Sequence, residues 1–330
     1  MARTPTMNDV AREADVALKT VSRFVNGQTN IDPVLAGRIA AAISTLGYRR
    51  NLAAASIRPG WTSKTLGLII SDLANPYYST LTRAIERYAR DRGYLVISAS
   101  SDEDGTQHDR LVDRLMEQRI DALIVVPPRD AGRSWSEVPP PLPPIVFLDR
   151  PMEVAGADVI LADNEGGARA AVDALLHNGA RRIAFVGDAL SIYTMSERYS
   201  GYRQALDAAG IQVDPAIVST TAHSSDEAAI AVEELIFGDS ADAVFAANNR
   251  AAVGAIQAFL KTGRRLPLIG FDDFEAAKLS SPAISVVSQD IPEMGRLAAQ
   301  IVLDRLAGIV AEPTRHVLPT TLKLRGSERP

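Results

Sequence analysis

Hydrophobic positions follow two different rhythms along the 330-residue chain. Apolar residues recur at helical spacing before residue 50, whereas short apolar runs alternate with longer amphipathic stretches from Leu66 onward. The short runs predict strands at Leu66–Ile70, Leu95–Ala99, Leu123–Val126, Ile145–Leu148, Val159–Leu161, Ile183–Val186, Ala243–Ala246 and Leu268–Gly270. The stretches between them predict helices near Ser79–Arg92, Gln107–Arg119, Gly166–His177, Glu197–Ala209, Asp226–Phe237 and Arg250–Lys261. This alternation indicates parallel sheets that are covered on both faces.

The start of the chain predicts two short helices joined by a tight turn. Thr6 and Asp9 have the spacing of a capping box, so the first helix is expected to begin just after Thr6. Its apolar positions share one face, and the pattern breaks at Asp15. A second helix is expected over about Ala17–Asn26, and four of its side chains are able to face inward: Ala17, Val21, Phe24 and Val25.

A third helix is predicted after Asp32, which provides an N-cap before Pro33, and Gly47 lies where a C-terminal glycine cap belongs. The next segment, Asn51–Arg58, is bounded by the helix breaker Pro59-Gly60. Isolated helices shorter than about 12 residues are marginal in water. This segment is therefore expected to be frayed until something holds it, and a passive linker is the alternative.

The second helix has a polar and basic stripe on the side away from its apolar face. The stripe consists of Leu18, Lys19, Ser22, Arg23 and Asn26. A helix of this size fits the major groove of B-DNA, where Lys19 and Arg23 are candidates to pair with guanine. Leu18 is apolar on an exposed face, which makes it a candidate to contact a thymine methyl group. An ordinary solvated helix face is the alternative.

Composition narrows the class of protein. No stretch approaches the roughly 18 apolar residues of a membrane span, and the N-terminus lacks the apolar core of a signal peptide. The chain has no cysteine, which excludes disulfides and cysteine-based metal sites. We therefore expect a cytoplasmic protein without a membrane partner.

Charge is divided unevenly along the chain. Residues 1–60 contain eight basic and four acidic residues, whereas the other 270 residues contain 27 basic and 36 acidic ones. The net charge of −5 is thus the sum of a basic N-terminal end and an acidic body. This distribution fits phosphate binding that is confined to one end of the molecule.

Catalytic and metal-binding motifs are missing from the sequence. It contains no dinucleotide-binding, Walker A or nucleophile-elbow pattern, and its four histidines share no metal-ligand spacing. The stretch from Asp102 to Gly105 resembles a calcium loop only faintly, because position 12 would be Leu111, so a helix N-terminus is the better interpretation. We expect no cofactor and no metal, and an α/β enzyme becomes a weak alternative.

The body of the chain predicts two similar lobes. Leu66–Ile97 and Ile183–Val213 share the order strand, loop, helix and a glycine that enters another strand, which suggests two α/β lobes with a cleft between them. Open α/β sheets bind ligands beyond the carboxyl ends of their strands. Five polar groups follow strand ends in this way: Asp72 to Tyr78, Asp149-Arg150, Thr194 with Arg198, Asn248-Asn249 and Asp272-Asp273. Each alone would be explained by helix capping, but their recurrence favours a binding cleft.

These motifs together resemble the lac repressor (LacI/GalR) family over residues 6–325. The N-terminal match is D-V-A-x-x-A-x-V and T-V-S-R-x-V-N, and the core matches N-P-Y-Y, F-L-D, E-R-x-x-G-Y, A-N-N, G-F-D-D, V-S-Q and L-A-G. The resemblance implies an N-terminal all-α helix-turn-helix head plus an α/β bilobed, periplasmic-binding-protein-like core made of two parallel-sheet lobes. The implied boundaries are 1–50 for the head, 51–60 for a hinge helix or linker, and 61–330 for an effector-binding and dimerisation core. Within the core, the N-lobe comprises about 61–161 and 290–320, and the C-lobe about 162–289 and 321–330.

The resemblance also implies which residues contact DNA. They are Thr6, Leu18, Lys19, Thr20, Ser22, Arg23, Asn26, Asn51, Ile57 and Arg58, with Ile57 at the position of the family's minor-groove leucine wedge. Three departures bear on this surface. Asp15 replaces the usual turn glycine, Ala17 replaces the usual Ser or Thr cap at a cost of roughly 0.5–2 kcal/mol, and Ala55 stands where an arginine is frequent.

By the same resemblance, the ligand-facing residues are Tyr77, Tyr78, Asp149, Thr194, Arg198, His223, Asn248 and Asp272. Arg198, Asn248 and Asp272 are suited to hold the vicinal hydroxyls of a sugar, and the two tyrosines are suited to stack on a sugar face or a purine ring. His223 stands where purine-responsive members tend to have an aromatic residue. A sugar-like effector is expected, and a nucleoside or purine is the alternative.

The resulting expectation is a ligand-responsive transcription repressor that binds double-stranded, pseudo-palindromic operator DNA as a homodimer. The chain lacks a heptad tail after Leu322, which favours a dimer over a tetramer. A solute-binding protein of a transport system shares the bilobed fold and is the alternative from another class, although the basic head and the missing export signal disfavour it.

Overall fold

The computed structural model describes residues 3–28, 30–49, 62–130, 133–152, 154–309 and 312–330. The chain forms two units, Met1–Ser63 and Lys64–Pro330. The predicted hinge segment, with Asn51, Ile57 and Arg58, lies outside the described residues.

The described part of the N-terminal unit contains three helices: α1 (Met7–Ala14), α2 (Leu18–Val25) and α3 (Pro33–Leu46). Their fully buried centre is Val10, Val21 and Ile39, one side chain from each helix. The predicted capping box is present, because the Thr6 backbone N–H donates to the Asp9 carboxylate (2.9 Å) and the Asp9 N–H donates to the Thr6 hydroxyl (3.4 Å).

The turn between α1 and α2 has Asp15 at the position where the family usually has glycine. Asp15 adopts a left-handed conformation (φ 47°, ψ 55°), which an aspartate tolerates better than most residues. Arg38 of α3 donates to both the carbonyl and the carboxylate of Asp15, each at 3.0 Å, and so holds the turn. Ala17 caps α2 without a side-chain hydrogen bond, as expected, but it is exposed and does not face inward, because it precedes the first helical turn.

The larger unit contains two six-stranded sheets that lie between helices. Its helices are α4 (Pro76–Arg90), α5 (Gly105–Glu117), α6 (Asn164–His177), α7 (Tyr193–Ala208), α8 (Ser225–Phe237), α9 (Asn249–Thr262) and α10 (Ile291–Leu306). Its strands are β1 (Thr65–Ile70), β2 (Leu95–Ser100), β3 (Ala122–Val125), β4 (Ile145–Leu148), β5 (Asp158–Ala162), β6 (Ile183–Val186), β7 (Val218–Ser219), β8 (Ala243–Ala246), β9 (Leu268–Phe271), β10 (Ser285–Gln289), β11 (Arg315–Leu318) and β12 (Thr320–Lys323).

The two sheets define an N-lobe and a C-lobe. The N-lobe sheet has the order β11-β5-β4-β3-β1-β2, and the C-lobe sheet has the order β12-β10-β9-β8-β6-β7. All described strand pairs are parallel except β10 with β12, which is antiparallel. Separate apolar clusters cover the two faces of each sheet, so the central strands are buried on both sides. The predicted all-α head and bilobed α/β core are confirmed.

The chain crosses between the lobes three times. It passes from β5 to α6 at Asp163, from β10 to α10 at Asp290, and from β11 to β12 at Pro319. As a result α10 packs in the N-lobe, where Gly295 lies against the backbone of α4. The first crossover follows a strand predicted from sequence, whereas β10, α10, β11 and β12 were not predicted.

Among the described residues, no helix is long and apolar enough to cross a lipid bilayer.

Close helix packing in the C-lobe depends on Gly254 of α9. A Cβ built on Gly254 would lie 2.4 Å from the carbonyl oxygen of Ser225 in α8. We expect Gly254→Ala to lower the free energy of unfolding of the core by about 1–3 kcal/mol, because the added methyl group forces the two helix backbones apart. Urea denaturation measures this change.

The matched control is Gly37→Ala in α3, where the Cβ position has open space. This substitution should stabilise its own unit by about 0.5–1 kcal/mol, since alanine loses less backbone entropy in a helix. A core that is as stable in Gly254→Ala as in the wild type would contradict the close-packing explanation.

Candidate DNA-contact surface and ligand cleft

The exposed side of α2 presents the predicted stripe. Leu18 is 46% exposed and Lys19 is also exposed. Val21, two residues after Lys19 on the same helix, is fully buried. Burial of Val21 therefore fixes which face of α2 is turned outward. Thr20 lies on the same helix and is half-buried, and Thr6 is held in the capping box of α1.

Several polar side chains of the stripe already have partners within the head. Arg23 donates from Nε to the Gln28 side chain (2.8 Å) and from Nη2 to the Asn30 carbonyl (2.7 Å). Asn26 donates to the Ser22 carbonyl (2.6 Å). Arg23 thus holds the loop after α2, and contact with a guanine would require it to exchange these neutral acceptors for base atoms. Sequence patterns gave no signal for the partners Gln28 and Asn30.

A cavity of about 220 Å³ lies between the two lobes of the core. Seven of the eight predicted ligand-facing residues line it: Tyr77, Tyr78, Asp149, Thr194, Arg198, Asn248 and Asp272. His223 does not line it, because it precedes the N-cap of α8 and points its ring at the carboxylate of Asp188. Asp188 lines the cavity, as does Arg250, which donates to the His223 carbonyl (3.2 Å), so His223 is linked to the cleft through these two neighbours.

The N-lobe wall is built around Asp149, which follows β4 in a left-handed conformation (φ 65°). The hydroxyls of Tyr77 and Tyr78 donate to its two carboxylate oxygens at 3.1 and 3.4 Å. Burial, followed by the charge of Asp149, raises the pKa of both tyrosines, so they remain neutral donors. Each of these residues is 6% exposed, and their rings meet edge to face at 4.9 Å, which leaves little ring face for a ligand to stack on.

Beside Asp149 lies a partly buried ion pair, Arg150 with Glu103, which sequence patterns did not predict. Arg150 forms two hydrogen bonds of 2.6 Å with the carboxylate of Glu103 and one of 2.9 Å with the Pro127 carbonyl. Burial alone would raise the pKa of Glu103, but the contacts with Arg150 outweigh it and hold that pKa below its usual value. The only sequence signal was that Asp149-Arg150 follows a strand, and the partner Glu103 lies in another loop.

The C-lobe wall is built around Arg198 and Asp272. Arg198 donates to the Asn164 side chain (2.8 Å), the Ala247 carbonyl (2.8 Å) and Asp272 (3.5 Å), and its guanidinium lies 3.7 Å from the centre of the Phe271 ring. Asp272 follows β9 with φ 72°, matching Asp149 in the other lobe. Burial raises the pKa of Asp272, and Arg198 only partly offsets this effect.

Two polar contacts join the lobes across the mouth of the cleft. Asp72, after β1, pairs with Arg250 of α9, and the side chain of Asn75 accepts a hydrogen bond from Asn249 (2.8 Å). Asn75 caps α4, and the predicted site residue Asn248 caps α9, so the two helix N-termini meet there. The capping roles were foreseeable from sequence, whereas the contacts between the lobes were not.

The cavity lining carries more carboxylates than guanidinium groups. The acids are Asp72, Asp102, Glu103, Asp149, Asp188 and Asp272, and the bases are Arg150, Arg198 and Arg250. Such a lining offers paired acceptors and donors, which suits a ligand rich in hydroxyl groups and disfavours an anion. Within the described residues, no group of three or more His, Cys, Asp or Glu side chains could hold a metal ion.

Both units of the chain match known protein families. Residues 6–51 match the family "Bacterial regulatory proteins, lacI family", and residues 172–328 match a periplasmic binding protein-like domain. The HTH-type transcriptional regulator CelR of Thermobifida fusca is 33% identical, over 98% of each chain. The ribose operon repressor of Escherichia coli K12 is 29% identical, over 98% of this chain and 99% of the repressor.

A solved structure is also similar over nearly the whole length. The complex of the transcriptional regulator CelR with cellobiose has a TM-score of 0.70 and 30% sequence identity, covering 98% of this chain and 99% of that one. The similarity in sequence and in fold therefore spans the head, the cleft and the crossovers together. The chain belongs to the lacI family of bacterial regulatory proteins, and it is a DNA-binding transcription repressor rather than an enzyme.

Proposed function

We propose that this repressor binds a pseudo-palindromic operator as a homodimer in the cytoplasm and is switched by a neutral sugar that binds between the lobes of its core. The proposal rests mainly on the cavity lined by Asp149 from one lobe and by Arg198 with Asp272 from the other. A ligand that contacts both walls changes the relative stability of open and closed lobes, which is the requirement for a switch.

The head supplies the DNA-binding end. Its exposed α2 stripe enters the major groove, with Leu18 against a thymine methyl group and Lys19 and Arg23 facing guanines. In two protomers the segments Asn51–Arg58 fold together on the operator, and Ile57 opens a base step in the minor groove. The basic charge of residues 1–60 supplies the general attraction for phosphates.

The cavity favours a sugar over a nucleoside. Among the described residues, the aromatic side chains that line it are Tyr77 and Tyr78. They are nearly buried and their hydroxyls donate to Asp149, so a purine would find no open ring to stack on. A volume of about 220 Å³ lies below the ~300–1,000 Å³ of drug-sized pockets and suits a monosaccharide or one ring of a disaccharide. The excess of carboxylates excludes sugar acids and sugar phosphates as preferred effectors.

Lobe closure provides the route from the effector to the DNA. The Asp72–Arg250 pair and the Asn75–Asn249 hydrogen bond hold the lobes together at the mouth of the cleft. An effector that binds below these contacts alters the closed geometry, and a dimer would pass that change to the two hinge segments. Coupling of this kind is reciprocal, so operator DNA must change effector affinity by the same factor.

The role of Leu18 can be tested on an operator selected from random duplex DNA. For the wild type, replacing the contacted thymine by deoxyuracil should weaken binding about fourfold, since burial of one methyl group is worth roughly 0.8 kcal/mol. In Leu18→Ala the two operators should bind equally. Gel-shift titration at several salt concentrations measures both effects, and binding should weaken steeply with salt.

The control is Val34→Ala, which shortens an exposed apolar residue at the start of α3 and should keep the preference for thymine. A thymine preference that survives in Leu18→Ala would refute the methyl contact. DNA binding that is absent or insensitive to salt would refute the proposed operator binding itself.

The effector class can be tested by thermal shift with sugars, polyols, nucleosides and sugar acids. A bound sugar at 100 times its Kd should add about 2.7 kcal/mol of stability, which raises the Tm by several degrees. Arg198→Lys should abolish that shift, because lysine cannot donate to Asn164, Ala247 and Asp272 together.

Arg203→Lys is the matched control, since Arg203 is exposed on the same helix α7. This variant should keep the full shift in Tm. A shift with purine nucleosides and none with sugars would instead support the nucleoside-responsive alternative.

A further inference from the structure

A continuous chain of buried polar contacts runs beneath the C-lobe wall of the cleft. It begins at Asn164, whose side-chain oxygen accepts from Arg198 Nε (2.8 Å), and continues from Arg198 to Asp272 (3.5 Å). It ends at Gln289, whose Nε2 donates to the other oxygen of Asp272 (2.6 Å). Arg198 and Asp272 line the cavity, whereas Asn164 and Gln289 do not.

The ends of this chain lie at two of the three crossovers between the lobes. Asn164 is the first residue of α6, directly after the crossover at Asp163, and its Nδ2 donates back to the carbonyl of Ala162 in β5. Gln289 is the last residue of β10, directly before the crossover at Asp290. Both residues are buried, with 2% and 7% of their surface exposed.

The environment of Gln289 shows what its amide is placed to do. Its Oε1 is buried and has no hydrogen-bond partner among the described residues, while its Nε2 is directed at Asp272. Leaving a buried carbonyl unsatisfied costs free energy. Rotating the amide by 180° would place Oε1 against the carboxylate of Asp272, and two acceptor oxygens in contact would repel each other. The fold thus accepts an unsatisfied acceptor in order to give Asp272 a donor.

We propose that Asn164 and Gln289 are positioning residues of the effector site, which orient Arg198 and Asp272 and tie them to the two crossovers. The inference rests on the proposed function of the cleft as a sugar site. When the lobes rotate, the backbone changes most at the crossovers, so these two contacts change with it. The side chains of Arg198 and Asp272 are therefore oriented for ligand binding in one arrangement of the lobes and moved out of that orientation in the other.

The carboxyl of Asp272 gives a direct readout of the Gln289 contact. The charged and titratable groups around it are Arg198 from α7, Asp149 from the N-lobe, and Tyr77 from α4. In Gln289→Leu these groups remain and only the amide donor is lost. The pKa of Asp272, which burial already raises, should rise further, and carbon-13 NMR of labelled aspartate in the ligand-free protein measures it, with Asp272→Asn for assignment.

Sugar binding gives the second readout, with cellobiose and D-ribose as probes in calorimetry. Gln289→Leu should weaken binding tenfold or more at neutral pH, the loss expected when a charged group loses a hydrogen bond. The pH below which affinity falls should also move upward, because protonation removes the charge of Asp272, turns one of its acceptor oxygens into a donor and so weakens its hydrogen bonds with sugar hydroxyls. Ser288→Ala, one position earlier on β10, is the control and should shift neither quantity.

The Asn164 end is tested by a pair of variants. Asn164→Leu leaves Arg198 Nε without its acceptor and should weaken sugar binding tenfold or more, whereas Asn164→Asp keeps an acceptor and should restore most of the affinity. A general packing defect would harm both variants alike, so equal losses would overturn the positioning role of Asn164.

The outcomes separate this inference from the proposed function. If neither sugar binds the wild type, the assignment of the effector class fails, and the titration of Asp272 still decides the role of Gln289. If Gln289→Leu leaves the pKa of Asp272 unchanged, the positioning role is overturned whether or not a sugar binds. A raised pKa with weakened, pH-shifted sugar binding supports it.

Discussion

The cleft depends on one constraint: a carboxylate removed from water must receive hydrogen bonds. Asp149 and Asp272 end central strands of the two sheets, both with left-handed backbone (φ 65° and 72°), and each donates its N–H to the neighbouring strand. Their carboxylates are thereby turned into the space between the lobes. Tyr77 and Tyr78 satisfy one of them, and Arg198 with Gln289 satisfies the other. Backbone strain of this kind is typical of functional sites.

Sequence patterns predicted the central strands other than β10, because those strands are buried on both faces and therefore appear in the sequence as continuous apolar runs. Ile145–Leu148, Ile183–Val186 and Ala243–Ala246 have the predicted bounds, and their carboxyl ends pointed to the cleft. Edge strands such as β11 and β12 alternate in burial and have no such run. The same holds for contacts that join distant loops, such as Arg150 with Glu103, since no local spacing encodes them.

The head shows how a departure from a family pattern is absorbed. Asp15 occupies a backbone conformation that favours glycine, and the cost is offset by Arg38, which lies 23 residues later. This compensation could not be predicted from the sequence of the turn alone. For Arg23, the position on the stripe was predictable from the sequence, whereas its hydrogen bonds with Gln28 and Asn30 were not. Both arginines hold the loops that flank α2.

The two walls of the cleft differ in how they are supported, and this difference bears on switching. The donors to Asp149 are tyrosines of α4 within the N-lobe, and neither adjoins a crossover in the sequence, although the Tyr77 hydroxyl also contacts Met294 Sδ of α10 at 3.4 Å. Asp272 instead receives its amide donor from the residue that precedes the crossover at Asp290. In the proposed switch, a rotation of the lobes would therefore disturb the second carboxylate more than the first. A ligand held by both walls would respond to this rotation mainly through Arg198 and Asp272, and the C-lobe wall would then be the more sensitive half of the proposed switch.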